Sequence, residues 1–168
     1  KVVEIFAKAD GSSAWCVNQN NVFATNSVRI PEATAQQVWS DPRTVITNGP
    51  PTPGSVAVPV EGGFILSGRW EFSSGIRHAN WVAALAPIGQ SDKNHPVMSD
   101  PTSGVVLIIP KEEVEVLDVW QVNGLRGTGS FSFAVDQLFV PLDRTYGVAD
   151  PPREDGAIYL IPTVLMFA

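Results

Sequence analysis

From Thr44 to Val140 the sequence breaks into short runs rich in β-branched and aromatic residues, each closed by Gly, Pro, Asn or Ser. That rhythm leaves room for little but short strands. The runs fall at residues 45–47, 56–60, 64–72, 81–88, 105–109, 114–120 and 131–140. Asn48-Gly49-Pro50-Pro51-Thr52-Pro53-Gly54 and Glu61-Gly62-Gly63 supply the turns between the first three. In the third run, period-two alternation predicts Phe64, Leu66, Gly68, Trp70 and Phe72 on one face. Residues 90–103 are polar and read as a hairpin tip. Seven short strands with turns between them predict a sandwich or a barrel.

Two helices are expected before the strands. Asp10-Gly11-Ser12-Ser13 offers an N-cap for a helix over residues 13–23, although Asn18, Asn20 and Asn21 spoil its apolar periodicity. Pro31 opens a second helix over 32–39, with Glu32 at its positive end, and Asp41-Pro42 ends helical structure. There is no βαβ alternation and no GxGxxG, which excludes a dinucleotide-binding unit of that type. The chain opens on Lys1 followed by apolar Val2, Val3, Ile5 and Phe6, and residues 160–168 are again apolar. Apolar ends of this kind predict further structure on both sides.

Composition narrows the function classes. The 168 residues carry a net charge of -6, so no basic stripe serves a nucleic acid or an anionic membrane surface. The single cysteine, Cys16, rules out an internal disulfide and a multi-cysteine zinc site, and its apolar neighbours Ala14, Trp15 and Val17 mark it as a small buried residue. No apolar run reaches the roughly 18 residues of a membrane-spanning helix. A cytoplasmic location is the expectation, with neither nucleic acid nor membrane as partner.

The stretch with most chemical content is Gly62-Gly63-Phe64-Ile65-Leu66-Ser67-Gly68-Arg69-Trp70-Glu71-Phe72-Ser73-Ser74-Gly75. An aromatic strand ends in two hydroxyls and a glycine, giving a flat apolar surface with hydrogen-bond donors beside it. From the residues alone the structural reading prevails, with the alternating aromatics as core and Ser-Ser-Gly as an ordinary strand end. His78 and Arg126 stand near this stretch or beside glycines as weaker candidates, each with a plain structural reading, for Arg126 an ion pair with Asp136. Thr128 and Ser130 read as residues satisfying a turn backbone, and His95 as a solvated loop residue.

Together with His78 and Trp81, that stretch resembles the middle domain of the two-component flavin-dependent monooxygenases, the aromatic and steroid-phenol hydroxylases of the acyl-CoA-dehydrogenase fold. Gly11-Ser12-Ser13-Ala14-Trp15, Ala35-Gln36-Gln37-Val38-Trp39 with Asp41-Pro42, and Val119-Trp120-Gln121-Val122-Asn123-Gly124-Leu125-Arg126-Gly127-Thr128-Gly129-Ser130 with Phe139-Val140-Pro141 resemble the same family in the same order. The resemblance implies a mainly β chain. Residues 1–43 would end an N-terminal helical domain, 44–146 would form a flavin-facing middle β-barrel, and 147–168 would lead into a C-terminal helical bundle that is absent.

It further implies reduced FMN or FAD supplied by a separate flavin reductase, hydroxylation of a small aromatic or polycyclic substrate through a flavin C4a-hydroperoxide, and a homo-oligomer, a tetramer in the intact protein. Phe72 matches the aromatic near the flavin ring, Ser74 the hydroxyl residue placed to hydrogen-bond near flavin N5, and Thr47 and Asn48 the strand end facing the flavin from the other side, with Ser73 a further cofactor-binding candidate. His78 and Arg126 fall in the substrate or flavin vicinity. Phe23 stands where some relatives carry a histidine, and the expected catalytic base lies beyond Ala168. An acyl-CoA dehydrogenase is a competing reading, though Thr47-Asn48-Gly49-Pro50 and Gly54-Ser55-Val56 lack both acids of that group's flavin motif. A non-catalytic β-domain acting as a binding module is the other.

Overall fold

The computed structural model describes residues 1–89, 104–161 and 165–166. The proposed hairpin tip at 90–103, His95 included, lies outside the described residues. Three α-helices come first: α1 (Val2–Ala9), α2 (Gly11–Ala24) and α3 (Glu32–Trp39). Among the described residues eight strands follow: β1 (Ile46–Gly49), β2 (Val56–Val60), β3 (Gly63–Ser73), β4 (Trp81–Pro87), β5 (Gly104–Pro110), β6 (Glu115–Leu117), β7 (Phe131–Pro141) and β8 (Thr145–Gly147).

The Asp10 carboxylate accepts the Ser13 backbone N–H at 2.6 Å, so α2 starts where the sequence placed its cap. Two elements were not expected. α1 buries none of its residues, and strand β8 is only three residues long. β8 is too short to leave a periodic signature, whereas α1 carries one that sequence reasoning missed, with Val2, Ile5 and Phe6 at i, i+3 and i+4.

The strands form two four-stranded sheets, ordered β1-β4-β5-β8 and β2-β3-β7-β6. All pairings are antiparallel except β1 with β4. This corrects the barrel expectation. Among the described residues, the bridges between the two sheets' segments are isolated, Pro51 to Trp70 and Ala57 to Ile88, and the sheets do not close into a continuous ladder. Short edge strands β6 and β8 explain this, since each offers only three residues to a neighbour.

The sheets face each other across one core. Leu66 and Trp70 of β3 and Phe133 and Val135 of β7 meet Val82, Ala84, Leu107 and Ile109 of β4 and β5. Trp70 stacks on Phe133 with ring centroids 5.1 Å apart and planes 9° from parallel, and its indole N–H donates to the Leu85 carbonyl at 2.8 Å. β5 is buried at every position, because its other face packs Val106 and Ile108 with Ile30, Val38 and Tyr146 in a second core beneath the helices. A strand buried on both faces reads as an unbroken apolar run, and Val105-Val106-Leu107-Ile108-Ile109 is one.

Candidate functional site

The site forms where β3 stops behaving as a strand. Its pairing with β7 shifts register between Trp70 and Ser73, and Phe72 adopts φ +54°, a left-handed conformation that costs a non-glycine residue about 1–2 kcal/mol. The bulge takes Phe72 off the core face that alternation assigned it. The residue is 58% exposed, and its ring meets Trp120 edge-on, centroids 6.1 Å apart. Gly75 follows at φ +76°, where its backbone N–H reaches the Thr128 carbonyl at 2.8 Å. A side chain there would meet only ordinary contacts with Cys16, so glycine serves the backbone conformation rather than a close approach.

Beside this turn lies a cavity of about 260 Å³. Trp15 and Gln19 reach it from α2, Asn48 and Pro50 from the end of β1, Phe72 and Ser74 from the end of β3. Trp120, Leu125, Thr128 and Ser130 complete it from the segment before β7. None of these side chains titrates near neutral pH. The cavity can therefore bind and orient a molecule, but it holds no acid or base of its own. Cys16 lies close by, its Sγ 3.8 Å from the Thr128 carbonyl oxygen, and burial pushes its thiol pKa up, so it stays protonated.

Polar atoms are unevenly satisfied here. Ser74 is buried and its hydroxyl has two partners: the Trp15 indole N–H donates to it at 2.9 Å, and it lies 2.8 Å from the Ser130 hydroxyl. Ser130 in turn lies 2.6 Å from the Thr128 hydroxyl, which donates to the Leu125 carbonyl at 2.9 Å. By contrast, Gln19 Oε1 and Asn48 Oδ1 are buried without a hydrogen-bond partner. Buried acceptors left open cost stability unless a ligand supplies donors.

Of the residues singled out in the sequence, Asn48, Phe72 and Ser74 converge on the cavity. Thr47 and Ser73 lie behind its wall. The Thr47 hydroxyl donates to the Ser74 carbonyl at 2.7 Å, clamping the turn, and Ser73 is wholly buried against Gly49. His78 and Arg126 are exposed and do not line the cavity, and no ion pair joins Arg126 to Asp136. Phe23 packs against the second core. Sequence reasoning missed Trp15 and Gln19, whose i,i+4 spacing puts both on one face of α2. It also gave Thr128 and Ser130 only a backbone role. Among the described residues, no cluster of three or more His, Cys, Asp or Glu could hold a metal ion, and no helix is long and apolar enough to cross a membrane.

A planar heteroaromatic group bearing N–H donors fits this inventory: Trp15, Phe72 and Trp120 supply ring surfaces, and Gln19 and Asn48 supply open acceptors.

No protein-family model matches the chain. Individual proteins do. The chain is 31% identical over 142 residues to the flavin-dependent monooxygenase oxygenase subunit HsaA of Rhodococcus jostii, a match covering 84% of this chain and 35% of that protein. It is 29% identical over 142 residues to the oxygenase component of the FADH2-dependent resorcinol hydroxylase of a Rhizobium species, covering 84% of this chain and 33% of that protein. The solved structure of XiaF from a Streptomyces species, in complex with FADH2 and glycerol, superposes with a TM-score of 0.71 at 27% identity, covering 81% of this chain and 33% of that one. The chain thus spans about a third of the length of the curated relatives it matches. By sequence and fold together, this chain belongs to the family of flavin-dependent monooxygenase oxygenase subunits.

Proposed function

We propose that the chain provides the flavin-facing part of a reduced-flavin-dependent monooxygenase that hydroxylates a small aromatic molecule. A separate reductase delivers reduced FMN or FAD, and the intact protein assembles as a homo-oligomer, a tetramer. On this reading residues 44–146 make the flavin-facing β-domain, 1–43 end an N-terminal helical domain, and 147–168 lead into a C-terminal one.

The observation that carries the reading is the cavity at the end of β3, where an inverted Phe72, a buried Ser74 and the open acceptors of Gln19 and Asn48 surround a space without titratable groups. A site with no acid or base of its own suits a cofactor that brings its chemistry with it, and bound flavin supplies the activation of oxygen. The chain's residues do the rest. Phe72 and Trp120 would offer ring surface to the flavin, and Ser74, Asn48 and Gln19 would hold its polar edge, the last two as acceptors. Thr47 and Ser73 hold the turn that presents Ser74.

Anaerobic titration with reduced FMN and reduced FAD, followed by calorimetry, tests this. Saturable binding of one or both is expected, weakened roughly threefold to tenfold by Phe72→Ala through loss of ring contact. Ser74→Ala should leave affinity within about tenfold, since a single hydrogen bond contributes about 0.5–1.5 kcal/mol. Binding of neither reduced flavin overturns the reading, and flavin reduction by an acyl-CoA thioester would favour the dehydrogenase instead.

A further inference from the structure

The hydroxyls beside the cavity run in one direction, and proton counting fixes which. The Leu125 carbonyl oxygen can only accept, so the single proton of Thr128 points to it, at 2.9 Å. The 2.6 Å contact between Thr128 and Ser130 then takes its proton from Ser130. The 2.8 Å contact between Ser130 and Ser74 must in turn take its proton from Ser74. Ser74 has no proton left, and it receives one from the Trp15 indole at 2.9 Å. The chain therefore reads Trp15 to Ser74 to Ser130 to Thr128 to Leu125, and toward the cavity Ser74 shows a lone pair.

We propose that Thr128 and Ser130 are positioning residues that hold the Ser74 proton away from the cavity and so make the site select reduced over oxidised flavin. The proposal rests on the flavin reading above. Reduced flavin carries a hydrogen on N5 and donates it, whereas oxidised flavin has a bare N5 that only accepts. In its resting direction Ser74 accepts the reduced form's N–H with its second lone pair. The open acceptors Gln19 Oε1 and Asn48 Oδ1 on the same wall favour a donor-rich ligand too.

Oxidised flavin requires the chain to reverse. Thr128 must leave the Leu125 carbonyl and donate to Ser130, Ser130 must donate to Ser74, and Ser74 to the flavin. The Leu125 carbonyl keeps a donor in that state, the Trp120 indole N–H at 3.3 Å. Reversal thus exchanges one hydrogen bond for another, so the preference for reduced flavin is modest and tunable rather than absolute.

Thr128→Val tests the direction. Valine preserves the shape but removes the acceptor on which Ser130 spends its proton, so Ser130 turns to Ser74 and the Ser74 proton is released toward the cavity. The ratio of dissociation constants for oxidised and reduced FMN should fall by roughly threefold to tenfold relative to the parent protein. In a Ser74→Ala background the same substitution should change nothing, and Thr128→Ser should restore the parent ratio.

A second readout needs no ligand. In protein labelled with 15N-indole tryptophan, the Trp15 Nε1–H resonance, assigned with Trp15→Phe, should move in Thr128→Val because its acceptor gains a second donor. Thr145→Val is the control, since Thr145 makes the same bond to a carbonyl three residues earlier, at 2.9 Å, away from the cavity. An unmoved Trp15 resonance, or an unchanged FMN ratio in protein that binds FMN, overturns the proposal. Failure to bind FMN and FAD in either redox state overturns the flavin reading instead, while a moved resonance would still support the hydroxyl chain.

Discussion

Trp70 and Phe72 sit two residues apart on one strand, and alternation assigns them to the same face, yet they end in opposite environments. Trp70 is 0% exposed, stacked on Phe133 and bonded to the opposite sheet; Phe72 is 58% exposed at the rim of a cavity. The difference lies in the backbone between them. From Gly68 to Trp70, after an earlier register shift between Leu66 and Gly68, β3 pairs regularly with β7, and Leu66 and Trp70 both fill the core. Beyond Trp70 the bulge and the positive φ at Phe72 break the alternation, and Ser73, Ser74 and Gly75 become a turn tied to β1 and to the 126–130 segment. One half of the strand is built for packing, while the other spends stability to place side chains.

The comparison breaks most visibly at Trp70. Trp70→Ala should lower unfolding free energy by about 3–5 kcal/mol, through lost burial and the cavity left behind. Urea unfolding monitored by circular dichroism checks it. A loss under about 1 kcal/mol would mean that the inter-sheet core does not depend on this ring, and the contrast with Phe72 would collapse.

The turn itself is tested at Gly49, on β1 behind the cavity wall. A Cβ there would overlap the Glu71 carbonyl oxygen and come within 2.6 Å of Ser73 Oγ. Because backbone cannot rotate away, Gly49→Ala should cost about 1–3 kcal/mol. The end of β3 should shift with it, so flavin affinity is expected to fall alongside the thermal midpoint. A melt unchanged from the parent would show that β1 does not brace the turn.

Most strands were legible because burial imposes period two or an unbroken apolar run, and residues 45–47, 56–60 and 105–109 show one or the other. α2 was legible through Asp10 although its apolar periodicity is poor, since a cap acts locally and needs no tertiary partner. The open arrangement of the sheets was not legible, because closure depends on edge strands too short to leave a pattern. At the site, Phe72 and Ser74 were singled out by family resemblance, while local patterning put Phe72 in the core. What sequence missed was collective: the direction of the hydroxyl chain depends on residues as far apart as Trp15, Ser74 and Ser130, which only the fold brings together.

The smallest expected effect sharpens the comparison furthest, because it separates backbone from side chain at Phe72. Phe72→Ala and Phe72→Gly both remove the ring and its edge contact with Trp120, so any difference between them belongs to the backbone. At an ordinary strand position glycine is the worse of the two by roughly 0.5–1 kcal/mol, since it loses more freedom on folding. At φ +54° the order should reverse, because alanine keeps the left-handed strain of about 1 kcal/mol that glycine escapes. Glu71, one residue earlier on β3, where φ is not positive, is the matched control: Glu71→Ala should be more stable than Glu71→Gly. Paired urea unfolding curves for the four variants measure both differences. Opposite signs at the two adjacent positions would show that the strand changes its backbone at Phe72. Alanine ahead of glycine at both would mean that Phe72 sits in ordinary strand geometry, and the ring at the cavity rim would need another cause.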